Sequence, residues 1–180
     1  ETVYLLVERN GIYTIEEFDP NLNLDAALSG ETETATASWS GLDHLEGQTV
    51  SVVGDGVILT DVEVSAGSIT IERAVSAIEV GLPYTHIIEP LPPGATDTGG
   101  SSRAVRLVEA LFRSEDTAAL RLDVGRGLKN VALRQFGEDE FLDEPPPLVS
   151  GDIRVRALGW QTDGTRPLWR IEQSAPLPFT

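Results

Sequence analysis

Short runs of β-forming residues, separated by glycine-containing turns, fill much of the first half of this chain. Gly54-Asp55-Gly56 and Ser65-Ala66-Gly67 are the clearest of these turns. Strands of about four to eight residues that are bounded by such turns are typical of small barrels and sandwiches. We therefore predict four short strands in a barrel-like unit, over residues 49–53, 57–64, 68–72 and 77–81.

The segment before this unit also favours extended structure. Asn10-Gly11 separates two apolar runs, residues 3–9 and 12–18, which is the strongest short-range signal of a β-hairpin. Residues 24–28 could form one helical turn. Residues 31–38 are rich in Thr, Ala and Glu, and they predict an extended connector or an edge strand.

The C-terminal half is interpreted as β-rich as well. Residues 103–124 fit either an amphipathic helix or two strands joined across residues 114–117, and we favour the strands. Segments rich in proline, glycine or acidic residues predict exposed loops at residues 90–100 and 138–147. Two alternating runs predict a closing hairpin, formed by residues 152–158 and 167–172 around a turn at 162–165.

These patterns predict an all-β chain, with a small β-barrel-like unit and a flanking β-sheet or sandwich. Residues 1–30 would form a first hairpin that pairs with the C-terminal sheet, residues 31–90 a small β-barrel-like domain, and residues 91–180 a β-rich domain with Pro and Gly loops. The sequence begins at Glu1 and contains no methionine, so we expect a fragment or a processed piece of a longer protein.

The charge is acidic and unevenly distributed. The net charge is −16, and residues 1–102 contain 17 acidic side chains against two basic ones, Arg9 and Arg73. Binding to nucleic acid depends on Lys and Arg, which displace counterions from the phosphates, so we expect no specific DNA or RNA binding. The apolar stretches are far shorter than the roughly 18 residues of a membrane-spanning helix, so we expect no membrane insertion.

Residues that could carry chemistry are few. The chain has no cysteine, which excludes disulfides and thiolate metal sites. His44 and His86 lack a Ser, Cys or second His at the spacing of a known catalytic motif, so we predict no catalytic residue. One run alternates like a calcium loop, but Leu24 occupies its turn position and Gly30 its twelfth. We interpret that run as a solvated turn and predict no metal and no cofactor; it comprises Asp19, Asn21, Asn23 and Asp25.

Several separated motifs resemble, in order, the tail nozzle or packaged-DNA stabilisation proteins of short-tailed bacteriophages. The main run is residues 40–57, SGLDHLEGQTVSVVGDGV, and it is followed by residues 64–71 and 80–85. Similar segments continue upstream at residues 3–9, 12–18 and 24–28, and downstream at 146–155 and 171–180. The family motif, to which we assign a structural role, comprises Leu42, Asp43, His44, Leu45, Glu46, Gly47, Leu82, Pro83 and Tyr84.

The resemblance implies a virion component without enzymatic activity. Such a protein forms a homo-oligomeric ring that extends the DNA channel and offers attachment surfaces to other tail proteins, while DNA passes without specific binding. It would be located in the virion tail of a phage or prophage particle, and in the host cytoplasm during assembly. Proteins of this kind are often labelled with the first catalytic cysteine half-domain of ubiquitin-activating enzymes, a name that here would describe a β-barrel shape and no activity.

Two other classes of function remain as alternatives. The first is a receptor- or carbohydrate-binding module of a phage tail or fibre, which would be favoured if Trp39 or Trp160 lined a groove. We expect these residues and Trp169 to act instead as core or interface anchors. The second alternative is an enzyme whose carboxylates converge only in three dimensions.

Overall fold

Strands make up nearly all of the regular structure in this chain, which is described by a computed structural model over residues 2–9, 11–92, 105–133, 144–156, 160–161 and 166–180. Within these residues the one helical element is a 3₁₀ turn, Asp43–Leu45, so the prediction of an all-β fold is confirmed. No helix in the described part has the length and apolar character of a membrane span.

The chain divides into two compact units, Glu1–Tyr84 and Thr85–Thr180. This boundary lies close to the one we expected near residue 90. The first hairpin, however, belongs to the same unit as the region from residue 31 onward. The predicted pairing of this hairpin with the C-terminal sheet concerns both units and stays a prediction.

The first unit begins with the expected hairpin. Strands β1 (Val3–Arg9) and β2 (Ile12–Phe18) pair antiparallel without interruption, from Val3 opposite Phe18 to Arg9 opposite Ile12. Gly11 has a φ of +80°, a conformation that glycine adopts without steric cost, and this allows the tight connection. Asn10, the other residue of the predicted turn, lies outside the described residues.

The rest of the first unit is a five-stranded antiparallel sheet in the order β3-β7-β4-β5, with β6 also paired to β4. Its strands are β3 (Asp25–Ser40), β4 (Thr49–Gly54), β5 (Val57–Ile58), β6 (Val62–Glu63) and β7 (Ser68–Leu82). The described strands do not close into a barrel, which corrects the barrel-like expectation. To close a barrel, β5 at one edge of the sheet would have to pair with β3 at the other edge. With only two residues, β5 is too short for this pairing.

Three local predictions in this unit were wrong for identifiable reasons. Residues 57–64 form two short strands, because between them Leu59 turns towards the core and Asp61 accepts a hydrogen bond from the Ser51 hydroxyl. The two strands predicted over residues 68–81 are one, since Val75 is fully buried and fixes the intervening residues. Residues 24–28 form no helical turn, because Asp25 pairs with Leu82 and starts β3.

The first unit has a continuous apolar core beneath its sheet. Val50, Val52 and Val75 are completely inaccessible to solvent. Full burial of such a side chain stabilises a fold by about 1.5–3 kcal/mol, so these three residues contribute substantially to the stability of the unit. The buried core residues are Leu42, Leu45, Val50, Val52, Val64, Ile69, Ile71, Val75, Ile78 and Val80.

The second unit contains short strands, which settles the ambiguity at residues 103–124 in favour of strands. A four-stranded sheet has the order β12-β11-β15-β8, while β10 pairs with β13 and β9 with β14. The strands are β8 (His86–Ile88), β9 (Val105–Arg106), β10 (Glu109–Thr117), β11 (Arg121–Asp123), β12 (Lys129–Asn130), β13 (Val149–Arg156), β14 (Trp160–Gln161) and β15 (Arg170–Gln173).

The prediction of a closing hairpin was wrong, because its two strands pair with other strands and not with each other. Strand β13 pairs with β10, whereas β15 lies between β11 and β8. The turn expected across residues 114–117 is instead a bulge within β10, where Asp116 has a φ of +45°. Most of the loops predicted at residues 90–100 and 138–147, and the turn at 162–165, lie outside the described residues.

Candidate functional site

The first part of the family motif, residues 42–47, holds the turn at residues 65–67 in place. Leu42 and Leu45 are buried in the core. The Glu46 carboxylate accepts hydrogen bonds from the backbone N–H groups of Ala66, at 2.9 Å, and Gly67, at 2.7 Å. A Cβ at Gly67 would lie 2.4 Å from the Asp43 carboxylate, so this position requires glycine. The motif therefore has a structural explanation in this unit.

Glu46→Ala is expected to destabilise this turn. The variant removes a charged acceptor from two backbone donors, and a hydrogen bond to a charged group contributes about 1.5–3 kcal/mol where it is sheltered and less where it is exposed. We expect the free energy of unfolding to fall by about 1–2 kcal/mol. Chemical denaturation of this variant beside Glu33→Ala, an exposed carboxylate on β3, measures the difference. Equal stability of the two variants would contradict the proposed clamp.

His44, Leu82 and Tyr84, which also belong to the motif, lie near the start of β3. His44 places its Nε2 atom 3.0 Å from the carbonyl oxygen of Ala26, and it donates a hydrogen bond there when Nε2 is protonated. Leu82 pairs with Asp25 at the end of β7. Burial raises the pKa of the Tyr84 hydroxyl, and the nearby Asp25 and Glu79 carboxylates add to this shift. Both parts of the motif therefore converge on residues 25–26.

A polar anchor joins the same point to the hairpin. The Arg9 guanidinium forms paired contacts with the carboxylates of Glu16 and Asp25; Nη2 lies 2.9 Å from Glu16 Oε2 and 2.6 Å from Asp25 Oδ1. The hydrogen bonds to Glu16 and Asp25 raise the pKa of Arg9. The bond from Arg9 lowers the pKa of Glu16, despite an opposing effect of burial, and a hydrogen bond from Thr14 adds to the lowering.

Arg9→Gln is expected to raise the pKa of Glu16 towards its ordinary value of 4.5. In the wild type, the lowered pKa means that the contribution of Glu16 to stability is complete above about pH 4.5 and is lost as the pH falls through the folded-state pKa. Carboxyl titration by NMR of the variant and of the wild type measures this shift. A titration of Glu16 that is the same in Arg9→Gln and in the wild type would rule out the anchor.

The hairpin has one face beside the anchor and one on which every side chain is exposed. The first face includes the half-buried side chains of Val7, Arg9 and Glu16. On the opposite face, which we call the outer face, Leu6 lies directly across from Ile15, and these two side chains are 72% and 77% exposed. The outer face consists of Tyr4, Leu6, Tyr13 and Ile15, with Glu8 and Glu17 among them.

The exposed apolar character of this hairpin is what the sequence analysis missed. Eight of its large hydrophobic side chains are more than two-fifths exposed: Val3, Tyr4, Leu5, Leu6, Ile12, Tyr13, Ile15 and Phe18. The sequence did contain an indication of this exposure, because residues 3–7 form an uninterrupted apolar run. Successive residues of a strand point to opposite faces, so such a run places apolar side chains on both faces and cannot bury them all in one core.

The residues considered for catalysis or metal binding are dispersed in the structure. His86 is exposed on β8, with its ring 6.3 Å from that of Phe179, whereas His44 belongs to the other unit. Among the described residues, no group of three or more His, Cys, Asp or Glu side chains is arranged to hold a metal ion. In the calcium-like run, Asp19 accepts the Asn21 backbone N–H in a local turn. Asn23 bonds to Glu79, and Asp25 bonds to Arg9.

The three tryptophans have different environments. Trp39 packs half-buried against the first core, and Trp169 meets Phe112 edge-on with ring centroids 5.1 Å apart. Trp160 is 68% exposed on the short strand β14. Two cavities, of about 340 and 360 Å³, lie near β11 and β12 and near β5 and β6 respectively, and no tryptophan lines either of them.

No model of a known protein family matches the chain. A search of curated proteins also finds no significant match.

Proposed function

We propose that this chain is a structural module of a bacteriophage tail nozzle or tail tube, which extends the DNA channel and supports tail assembly. The observation that carries the proposal is the exposed apolar hairpin over residues 3–18. Monomeric soluble proteins rarely expose large contiguous apolar patches, and such patches mark interaction surfaces. A subunit of a larger assembly would bury this hairpin against its neighbours.

The composition of the hairpin also supports a protein partner. Aromatic side chains are enriched in the buried centres of protein interfaces, and Tyr4, Tyr13 and Phe18 are available here. Two carboxylates, Glu8 and Glu17, share the outer face with the apolar side chains. Anionic groups are repelled by the negative surface of most membranes, so this face suits a protein partner better than a lipid surface.

The charge of the first unit suits a channel for DNA. Residues 1–84 contain 15 acidic and two basic side chains. DNA has one negative charge per roughly 1.7 Å of helix axis, so an acidic wall repels a passing duplex and does not bind it. The resemblance to tail nozzle proteins rests on the sequence motifs alone, and the proposed role requires neither a cofactor nor a reaction.

The purified chain is expected to assemble into closed rings with a central opening. Native mass spectrometry would give the number of copies, and electron microscopy of negatively stained particles would show the opening. Measurements at chain concentrations up to about 100 µM would detect the assembly even if each contact had only micromolar affinity, which corresponds to a binding free energy of about 8 kcal/mol. Particles that are monomeric throughout this range, or that form open filaments, would contradict the proposed channel.

The alternative of a receptor- or carbohydrate-binding module has one supporting observation, the exposed Trp160. An aromatic ring that is open to solvent can stack on the apolar face of a sugar. A glycan array probed with the wild type and with Trp160→Ala tests this function. Glycan binding that is lost in the variant would favour the binding module over the structural role.

A further inference from the structure

We propose that the outer face of the hairpin binds the exposed face of the β10–β13 pair in a second copy of this chain. This contact rests on the proposed assembly and deepens it, because it identifies the two surfaces that meet. The contact is heterologous, which means that each copy uses one surface to bind the preceding copy and the other to bind the next. Such contacts produce rings when the rotation closes and filaments when it does not.

The β10–β13 pair has one inner and one outer side. Ala110 and Ser114 are buried on the inner side, and Phe112 packs there against the second core. The outer side carries Leu111, which is 55% exposed and lies directly opposite Arg154. Its remaining members are charged and alternate with the inner residues: Glu109, Arg113, Asp152 and Arg156.

The outer side of this pair has an excess of positive charge. Arg113 contacts Asp152 at 3.2 Å, and Arg154 contacts Glu109 at 3.5 Å. With Arg156, three guanidinium groups face two carboxylates around Leu111. These side chains are exposed, so their ion pairs are weak and can be exchanged for others in an interface.

The two surfaces are complementary in charge and in chemical type. Leu6 and Ile15 offer an apolar centre that matches Leu111, and Glu8 and Glu17 can meet the arginines of the other surface. Tyr4 and Tyr13 are also suited to this partner, because guanidinium groups stack favourably on aromatic rings. Tyrosine and arginine are among the residues that contribute most to binding in protein interfaces.

The charge distribution of the chain favours a heterologous contact over a symmetric one. Two outer faces placed together would bring Glu8 and Glu17 against the same carboxylates of the partner, and such like-charge contacts are unfavourable. The first unit has only Arg9 and Arg73 as basic residues, and Arg9 is committed to the anchor. The second unit, residues 85–180, contains 11 of the 13 basic residues. The second unit of the neighbouring copy therefore supplies the positive charge.

Two charge-reversed variants test the contact. The hairpin variant combines Glu8→Arg with Glu17→Arg, and the sheet variant combines Arg154→Glu with Arg156→Glu. Within each variant the two surfaces have charge of the same sign, so we expect self-association, measured by analytical ultracentrifugation, to weaken by at least about tenfold. In an equimolar mixture each surface meets its complement, so we expect assembly to recover with equal numbers of the two variants in each particle.

Control variants separate this result from a general effect of charge or folding. Glu31→Arg with Glu33→Arg adds the same positive charge to β3 and should leave assembly unchanged. Leu6→Ala with Ile15→Ala removes the apolar centre without altering charge and should weaken assembly. Circular dichroism must show the wild-type β content in every variant.

The outcomes distinguish this contact from the proposed function. A sheet variant that assembles as the wild type does would overturn the contact, as would a mixture that fails to recover, while rings of the wild type would leave the proposed channel intact. Recovery of the mixture, together with a wild type that forms open filaments, would support the contact and overturn the channel. A wild type that remains monomeric would overturn both.

Discussion

Leu45→Ala is expected to lower the free energy of unfolding of the first unit by about 2–5 kcal/mol. Leu45 lies in the 3₁₀ turn of the family motif, and only 2% of its surface is exposed. Its side chain packs in the same core as Val50 and Val64, so truncation leaves a cavity that the strands fill only in part. Domains of ordinary size have total stabilities of about 5–15 kcal/mol, so this single change could remove a large share.

Leu6→Ala provides a matched control for this prediction. The same atoms are removed from a side chain that is 72% exposed, so the stability of the isolated copy should change by less than about 0.5 kcal/mol. Hydrogen exchange of the β4 and β7 amides reports the opening of the core directly. If the two variants lost similar stability, the motif would not act through the core, and an explanation of Leu45 in terms of binding would be needed.

The local elements of this fold were predictable from the sequence where a short pattern determines them. Residues 3–18 identify a hairpin because both strands and the turn between them are adjacent in the chain. The same is true of β4, which Gly54-Asp55-Gly56 ends. Pairings between distant segments could not be read in this way. Strand β15 lies between β11 and β8, and no local pattern specifies either neighbour.

The role of the motif residues was predictable in part. Leu42 and Leu45 were assigned a structural role, and their burial provides a physical basis for it. The contacts of Glu46 and His44 connect residues that are about 20 positions apart, so spacing alone could not indicate them. The outer face was missed for a different reason. A hairpin pattern predicts pairing, but exposure depends on whether another part of the chain covers the strands.

Replacing three acidic residues by lysine is expected to weaken the repulsion between the chain and duplex DNA and to add a salt-dependent attraction. Glu31, Glu33 and Glu72 are exposed on β3 and β7. We expect the wild type to show no binding to duplex DNA at concentrations up to about 10⁻⁴ M, the weak end of non-specific affinities. The triple lysine variant, whose net charge is −10, should bind more tightly than the wild type and most tightly at low salt, because each lysine that contacts a phosphate releases a counterion.

The salt dependence of binding makes this expectation quantitative. Three phosphate contacts give a slope of about −2.7 in a plot of log affinity against log salt, so affinity should fall roughly fortyfold between 50 and 200 mM salt. Fluorescence anisotropy with a labelled duplex measures both values. Replacement of the same residues by glutamine is the control, because it removes negative charge without supplying a cation, and it should give no comparable binding.

Genome ejection connects this measurement with the proposed channel. Repulsion between exposed charges fades beyond about 10 Å at 0.1 M salt, so only acidic residues near the path of the DNA can influence its passage. If part of the first unit lines the channel, lysine at those positions should slow ejection, and more so at low salt, while assembly stays intact. Salt-dependent binding of duplex DNA by the wild type would contradict the proposal that the acidic unit repels the genome. Unchanged ejection after reversal of acidic residues throughout residues 1–102 would place the acidic surface away from the DNA.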